Sequence, residues 1–308
     1  LTGGRNIAND YFDLSGHYNF LDSDLEISGP IAKTVLESFD VYWNSHLASE
    51  PVPDTAPDAG AAKFVLPDPS DAALIEKLRA AGEAYAQSHK AHECRDLGFV
   101  TDFPNHGEAS RNVFNAIVEE LGRARHEAVV ESPYFVIKSG GYAVLEDLHK
   151  RGISVRVLTN SLASTDASYA VGALYPWLGS LAKTGLTLSA YGGKPLPGQS
   201  TDLGGGKPRW GVHSKRGVID GDTTVLGTYN IDPRSANLNS ELIVVCRGQK
   251  ELAAEVLASI AAREGNSVTV IERGTIVQRS ALLGESPLRQ RIRFLLELPV
   301  ANLFVFLL

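Results

Sequence analysis

Hydrophobic and polar residues are arranged differently in the two parts of the chain. In residues 30–46, and again in residues 70–89, apolar side chains recur at helical spacing; this predicts two helices, the first on one face of a sheet. The segment between them, Ser49 to Ala62, is rich in Pro, Ala and Asp and predicts a surface loop. The N-terminal part is therefore expected to hold the end of a sheet-containing lobe and its connecting helices.

From residue 108 onward, short apolar strands alternate with amphipathic helices. This order is typical of a layered α/β fold. Asp220-Gly221 predicts a hairpin turn, and the Gly- and Pro-rich residues 192–208 predict a loop of the kind that borders active sites. The predicted elements are helix 113–125, strand 127–131, helix 143–151, strand 153–158, helix 167–183, strands 186–191, 210–219, 223–229 and 241–246, and helix 251–263.

Composition narrows the class of protein. The 308 residues are 44% apolar and 21% charged, and no run reaches the roughly 20 apolar residues that span a bilayer. The net charge of -7 argues against a general basic surface, so no nucleic-acid partner is expected, although a local basic groove stays open. Cys94 and Cys246 lie far apart without metal-ligand spacing, which predicts two reduced or buried thiols and no metal site.

The first residues suggest a longer parent protein. The sequence contains no Met, and Leu1 to Asn6 shows neither an initiator nor a charged-then-apolar signal peptide. We therefore expect that the sequence begins inside a longer chain.

One motif carries the candidate chemistry. It consists of H-x-K, four residues, D, six residues and G-x-x-N, and all five fixed positions match: His213, Lys215, Asp220, Gly227 and Asn230. By composition, such a match arises at roughly one start site in three million. Chance is therefore a weak explanation for the pattern.

The residue types suit chemistry on a phosphate. His213 and Lys215 are two apart on a predicted strand, so both side chains face one side. Imidazole can attack phosphorus or protonate a leaving alkoxide, and the ammonium group can stabilise the phosphoryl oxygens. Asn230 can donate to a phosphate oxygen, and Gly227 would let the backbone approach it closely.

Two acidic residues accompany the motif. Asp220 belongs to the catalytic motif, but its place beside the turn and its parity put it off the catalytic face, so we expect it to be structural. Glu241 opens the next strand and is the candidate that orients His213; the alternative is a solvated glutamate at the strand edge.

An internal echo indicates a duplication. Leu1–Ile7 aligns with Val225–Ile231, with Gly, Asn and Ile coinciding, and Ser23-Asp24-Leu25 echoes Ser240-Glu241-Leu242. Since His213 precedes Gly227 by 14 residues (227 - 213), the His and Lys of a first copy would lie just upstream of Leu1.

These features resemble the phospholipase D superfamily, and most closely its bacterial cardiolipin synthase-like branch. The resemblance covers nearly the whole chain. It departs at residues 167–177, where such synthases tend to carry a His and basic residues, and that region bears on the choice of acceptor lipid. Besides the motif, the similar segments are Gly3–Ile7, Asp10–Phe12, Phe39–Ser45, Ser132–Val136, Val157–Leu162 and Thr165-Asp166.

The resemblance implies a two-lobed α-β-α sandwich in which two such motifs form one site. Residues 1–106 would be the remnant of a first lobe truncated at its N-terminus, with its connecting helices. Residues 107–308 would be the second lobe, with the complete motif and an amphipathic C-terminal tail.

Roles for individual residues also follow from the resemblance. His213 would be the general acid/base, Lys215 and Asn230 phosphate ligands, and Asn6 the ligand that survives from the first copy. Tyr134 and Asp24 are possible pocket residues, and Tyr134 could equally be a core aromatic. No metal or cofactor is required by this chemistry.

The resemblance implies a phosphatidyltransferase that forms cardiolipin through a phosphohistidine intermediate, with a phosphatidylglycerol-like lipid as substrate. We expect a peripheral protein of the bacterial cytoplasmic membrane, close to inactive as this chain alone because one of two histidines is missing. Residues 289–308 either lie on an anionic membrane surface or close the core. The alternatives are a hydrolytic phospholipase D, a phosphodiesterase or nuclease, and a catalytically dead lipid-binding relative.

Overall fold

The computed structural model describes residues 1–50, 90–103, 111–197, 199 and 207–303, with isolated positions at 72, 75, 76, 79, 80, 82 and 83. Its strands are β1 (Thr2–Gly3), β2 (Tyr18–Leu21), β3 (Asp24–Leu25), β4 (Asp96–Thr101), β5 (Glu127–Glu131), β6 (Ser154–Asn160), β7 (Thr187–Tyr191), β8 (Arg209–Val212), β9 (Lys215–Ile219), β10 (Thr223–Gly227), β11 (Leu242–Arg247), β12 (Ser267–Glu272) and β13 (Thr275–Ile276). Its helices are α1 (Ile31–Trp43), α2 (Asn112–Arg123), α3 (Ser139–Lys150), α4 (Ser168–Leu174), α5 (Leu178–Ala182), α6 (Pro233–Asn237), α7 (Lys250–Glu264) and α8 (Leu288–Leu303).

A mixed nine-stranded sheet forms the centre of the fold, in the order β13-β12-β7-β6-β5-β9-β10-β11-β4. Strands β5, β6 and β7 are parallel and are connected through α3 and through α4 with α5. The other neighbouring pairs are antiparallel, with the turn at Asp220-Gly221 joining β9 to β10. Parallel neighbours need such helical crossovers, whereas antiparallel ones need only a short turn.

Helices cover both faces of this sheet. Successive residues of β5 point to opposite sides: Ala128 packs in the larger core with side chains from α3, α4, α5 and α8, and Val129 packs in a second core with α7. The layered α/β fold predicted from the sequence is therefore confirmed. Among the described residues, no helix is long and apolar enough to cross a membrane.

The N-terminal segment forms one small strand pair within itself and a second one that attaches it to this body. Strand β1 pairs with β3, and β2 pairs in parallel with β8, whose C-terminal end leads into the H-x-K motif. Strand β4 precedes residue 107 yet pairs with β11 at the edge of the large sheet. The division into lobes at residue 106 stays a prediction.

Several predicted elements differ in detail. Strand 210–219 is split at His213-Ser214, and helix 167–183 is interrupted by a 3-10 turn at Tyr175–Trp177, where Pro176 removes a backbone donor. The predicted helix 70–89 and the proline-rich loop after Ser49 fall almost entirely outside the described residues.

Helix α1 forms where the periodicity predicts it and contacts β4 of the large sheet, but its apolar side is left largely exposed. None of its residues is buried. Leu36, Phe39, Val41 and Trp43 all have 45% or more of their surface exposed. Its tie to the body includes the hydroxyl of Tyr42, which donates to the Asp102 carbonyl at 2.8 Å. An amphipathic pattern predicts a helix, but it does not indicate which surface packs against the apolar side.

The prediction of two thiols is also wrong. Cys94 and Cys246 form a disulfide with their Cα atoms 5.9 Å apart. The pairing of β4 with β11 brings the two residues together from 152 positions apart in sequence. Sequence spacing alone does not reveal a contact made by strand pairing across the sheet.

Reducing this disulfide should destabilise the protein. Because the bond closes a loop of 152 residues, its loss should lower the free energy of unfolding by about 2–4 kcal/mol. Urea unfolding with and without reductant measures the change, and a Cys94→Ser variant should unfold at the reduced midpoint regardless of reductant. Equal midpoints for the native protein under both conditions would contradict the bond.

Candidate active site

The H-x-K motif lies at a break between two strands. Strand β8 ends at Val212 and β9 begins at Lys215. Between them, the backbone N–H groups of His213 and Ser214 both donate to the Leu21 carbonyl, at 2.9 and 3.2 Å. This shared acceptor turns the chain from the small β2-β8 pair into the large sheet, and it places the end of β2 beside the motif.

Asn160 fixes the approach to the motif from the other side. It is buried at the end of β6, where its Nδ2 donates to the Val212 carbonyl and its Oδ1 accepts from the Val212 N–H, both at 2.8 Å. The amide thus replaces the backbone of a neighbouring strand. The backbone of Val212, just before His213, is therefore held by two hydrogen bonds.

Asp22 orients the imidazole. Its Oδ2 lies 2.7 Å from His213 Nδ1, and its side chain is fully buried. An ionised carboxylate only accepts hydrogen bonds, so this contact assigns the proton of neutral His213 to Nδ1 and leaves the lone pair on Nε2. Burial alone would raise the pKa of Asp22, but the hydrogen bond with His213 and the nearby positive charges hold that pKa below its ordinary value.

Lys215 lies against the same ring. Its Nζ is 2.8 and 3.0 Å from the two ring nitrogens and 2.6 Å from the His213 carbonyl oxygen. Burial lowers the pKa of Lys215 to about 8, although nearby carboxylates, Asp22 foremost, oppose the shift. Burial also lowers the pKa of His213; the bond to Asp22 opposes this and the charge of Lys215 adds to it. The imidazole is therefore uncharged at neutral pH, ready to act as base or nucleophile.

Aromatic rings form one wall of the site. The rings of Tyr11 and Phe20 lie 5.0 and 4.8 Å from the His213 ring. Asn6, predicted as a phosphate ligand, donates from Nδ2 to the Tyr11 hydroxyl at 2.8 Å and so meets the site through that tyrosine. Gly4 also adjoins the site, since a Cβ there would lie 2.9 Å from Lys215 Cδ. Direct binding of phosphate by Asn6 stays a prediction.

Tyr134 lies near the site with a partner that sequence reasoning did not select. Its hydroxyl donates to the two carboxylate oxygens of Asp166 at 3.0 and 3.1 Å. Burial, and then the charge of Asp166, raise the pKa of Tyr134 far above its ordinary value. The same carboxylate raises the pKa values of His213 and Lys215 among smaller effects, which places Asp166 within electrostatic reach of the motif.

Glu241 does not orient His213, so that prediction is wrong. Its Oε1 accepts from Ser235 Oγ at 2.7 Å and from Asn239 Nδ2 at 3.1 Å, and its Oε2 accepts from the Thr228 hydroxyl. The alternative of a solvated glutamate fails too, because Glu241 is buried. Its carboxylate holds the turn after β10 and adds negative charge near Lys215.

Gly227, a fixed position of the motif, ends strand β10, and Asn230, its last fixed position, lies three residues later. Asn230 Oδ1, an acceptor, is buried without a hydrogen-bond partner among the described residues; the predicted phosphate contact requires the Nδ2 donor instead and stays a prediction. At Gly227, a Cβ would collide with the Leu242 carbonyl of the neighbouring strand. Strand packing therefore already requires Gly227, and the approach of a phosphate there stays a prediction.

Asp220 and Asp24 lie in structural positions. The carboxylate of Asp220 accepts from the backbone N–H groups of residues 125–127 at 2.8 to 3.0 Å, as its expected structural role requires. Asp24, the other possible pocket residue, forms an ion pair with Arg5. None of these hydrogen bonds, nor this ion pair, involves His213. Within the described part of the chain, no cluster of three His, Cys, Asp or Glu residues could hold a metal ion.

Sequence reasoning missed three residues that the fold brings to the motif. Asn160 and Asp166 lie in segments that already resemble the family, so a weak signal existed for both. Asp22 directly precedes the echoed Ser23-Asp24 pair, but the echo pointed to the wrong aspartate. A contact across 191 residues leaves no mark in local spacing.

Replacing Asp22 should lower the pKa of His213. In Asp22→Asn the side-chain oxygen can still accept from Nδ1–H but carries no charge, so the imidazolium loses its partner and protonation requires a lower pH. Titration of the His213 ring by NMR measures this. Asp24→Asn, which removes a nearby carboxylate bound to Arg5, is the matched control and should leave the His213 pKa unchanged. An unchanged or higher pKa in Asp22→Asn would contradict the assignment.

Replacing Asp220 should affect stability alone. Asp220→Ala leaves three backbone donors without their acceptor and should cost about 2 kcal/mol of unfolding free energy. Asp222→Ala, in the same turn, should change it by less than about 0.5 kcal/mol. Urea denaturation tests both, and a shift of the His213 titration in Asp220→Ala would show that the residue reaches the site after all.

Comparison with known proteins gives a consistent family. Residues 117–263 match the family model described as "Cardiolipin synthase, PLD-like domain". Cardiolipin synthase C of Escherichia coli is 29% identical over 259 residues, covering 79% of this chain and 54% of that protein. Cardiolipin synthase A of Pseudomonas putida is 27% identical over 254 residues, covering 80% and 42%. The chain thus spans about half the length of the curated relatives it matches.

A solved structure supports the fold across almost the entire chain. Phosphatidylserine synthase of Haemophilus influenzae superimposes with a TM-score of 0.62 at 14% identity, covering 99% of this chain and 68% of that one. Residues 117–263 thus match a phospholipase D-like family model, and about four fifths of the chain is similar to bacterial cardiolipin synthases.

Proposed function

We propose that this chain carries half of the active site of a phosphatidyltransferase of the cardiolipin synthase type, acting on phospholipid phosphodiesters. The observation that supports this most is the geometry of His213: a buried imidazole whose Nδ1 proton is held by Asp22 at 2.7 Å, with Lys215 at its ring. Such a group can take or give a proton beside a phosphate that the ammonium binds. The relatives named as cardiolipin synthases favour a phospholipid as the substrate.

The proposed reaction has two steps. A histidine attacks phosphorus, the bond to the leaving alcohol breaks, and the departing alkoxide receives a proton. In the second step an acceptor hydroxyl gives its proton to a base and attacks phosphorus, so the N–P bond breaks and the histidine is released. His213 gives the first proton from Nε2 after taking up a proton from solution, and it takes the acceptor's proton back on Nε2 in the second step; the charge of Asp22 stabilises the imidazolium before the first step and after the second. Lys215 and Asn230 bind the phosphoryl oxygens.

Two histidines are needed for this cycle, and the sequence holds one H-x-K motif. We therefore propose that the isolated chain is close to inactive. Measurable turnover by the purified chain, abolished in His213→Ala, would overturn that proposal. Mixed vesicles containing phosphatidylglycerol are the substrate for the assay.

Helix α8 supports a peripheral association with a lipid surface. Phe294 is buried in the core against Tyr175, which anchors the helix. On the other side of α8, Leu288, Leu295 and Leu296 each have 65% or more of their surface exposed. Three arginines, at positions 289, 291 and 293, lie beside them in sequence. Apolar side chains flanked by arginines are typical of helices that lie on anionic bilayers. A single helix, Leu288–Leu303, could therefore both close the core and lie on a membrane surface.

Phosphate binding tests the proposed site directly. Lys215→Ala should weaken binding of glycerophosphoglycerol, a soluble phosphodiester, by about tenfold or more, because a charge-assisted hydrogen bond is lost. Lys150→Ala, which removes an exposed lysine at the end of α3, is the matched control and should bind as the native chain does. Calorimetry measures both affinities. Equal affinity in Lys215→Ala and the native chain would remove the proposed phosphate site.

The products distinguish transfer from hydrolysis. When a second H-x-K half-site completes the site, transfer releases glycerol from phosphatidylglycerol and yields a four-chain lipid. Mass spectrometry of the lipids resolves the outcome. Phosphatidic acid as the sole new lipid would favour a hydrolytic phospholipase D, and cleavage of oligonucleotides would favour a nuclease.

A further inference from the structure

A buried ion triad lies directly behind the H-x-K motif. Glu131 at the end of β5, Arg216 on β9 and Arg263 on α7 are 0%, 6% and 4% exposed. Glu131 Oε2 accepts from Arg216 Nε at 2.5 Å and from Arg263 Nη1 at 2.8 Å. A buried ion of this kind is costly unless its remaining hydrogen-bonding groups find partners. The other contacts of the triad are therefore informative.

Arg263 directs its two Nη groups to the two segments that form the catalytic pair, whereas its Nε and Glu131 Oε1 are buried without a hydrogen-bond partner among the described residues. Its Nη1 also donates to Ser214 Oγ at 2.8 Å, and its Nη2 donates to the Asp22 carbonyl at 3.3 Å. Ser214 is the middle residue of the H-x-K motif, and Asp22 is the partner of His213. One guanidinium thus contacts both the residue that follows His213 and the backbone of Asp22.

Ser214 completes the connection. Its hydroxyl lies 3.2 Å from the Leu21 carbonyl and 3.1 Å from Ser23 Oγ. The hydroxyl therefore joins the motif to the residues on either side of Asp22, while Arg263 fixes the hydroxyl itself. A planar guanidinium with donors in fixed directions can hold two such segments at once, which a lysine cannot do.

Charge gives the triad a second link to Asp22. Two arginines share the single carboxylate of Glu131, so the triad carries a net positive charge in the interior. The carboxylate of Asp22 acts on Arg216 in the direction that favours the charged guanidinium. Asp22 thus faces positive charge from Arg216 behind the strand as well as from Lys215 in front of it.

We propose that Arg263 is a positioning residue for catalysis: through Ser214 and the Asp22 backbone it sets the distance and direction of the hydrogen bond between Asp22 and His213 Nδ1. The proposal deepens the proposed function, on which it rests. It assigns to α7 a part in the chemistry, although Arg263 lies on the face of the strand away from the reacting atoms.

The Nδ1–H proton of His213 reports on this hydrogen bond. In protein labelled with 15N-histidine, a strong bond to a carboxylate gives a downfield Nδ1–H resonance that is protected from exchange, and its absence in His213→Ala assigns it. Arg263→Gln and Ser214→Ala should broaden or remove the resonance and weaken glycerophosphoglycerol binding by about tenfold, the loss of one charge-assisted hydrogen bond. Glu264→Gln is the matched control: it alters the Arg156–Glu264 ion pair at 3.0 Å on the same helix and should leave both measurements unchanged.

The outcomes separate positioning from mere stability. If Arg263→Gln does not fold, Ser214→Ala decides, because it removes one hydroxyl and leaves the contacts of Glu131 with both arginines in place. An unchanged resonance and affinity in Ser214→Ala, or in folded Arg263→Gln, would overturn the proposal. If the native chain shows the resonance but binds no phosphodiester, the proposed function fails and the resonance still decides the role of Arg263.

Discussion

The hydrogen bond between Asp22 and His213 is the interaction on which the site depends. It joins residues 191 positions apart, and it determines which imidazole nitrogen keeps the proton. Asp22 is buried and ionised beside two basic groups. A buried charge without a partner would destabilise the fold, so the surrounding structure must hold Asp22 beside these groups. The Leu21 carbonyl, the Ser214 hydroxyl and the Arg263 guanidinium hold the segment around Asp22 through hydrogen bonds. The small β2-β8 pair is thus as much part of the site as the large sheet.

The sequence predicted the layered fold well because its strands and helices have strong periodicity. Strand 127–131 and helix 251–263 agree with the structure to within a residue at each end. The H-x-K motif was readable because its members are close in sequence and chemically distinctive. The break at His213-Ser214 was not, since it arises from the Leu21 carbonyl, which lies in another part of the chain.

The contacts that the predicted site residues make depend on parts of the chain that are distant in sequence. Glu241, Asp24 and Gly227 were assigned from spacing, whereas their roles are set by tertiary neighbours: a cluster of hydroxyl and amide donors, an arginine and an opposing carbonyl. The disulfide between Cys94 and Cys246 has the same cause. Local patterns specify the elements, and contacts between distant elements choose which polar residue meets which partner.

The tautomer of His213 shows whether Asp22 holds the imidazole as described. Long-range 1H–15N correlation spectra of the native chain at neutral pH distinguish a protonated Nδ1 from a protonated Nε2. We predict a neutral ring with its proton on Nδ1 and an Nε2 shift typical of a bare nitrogen. A proton on Nε2, or a doubly protonated ring at pH 7, would contradict the arrangement of Asp22, His213 and Lys215 described above.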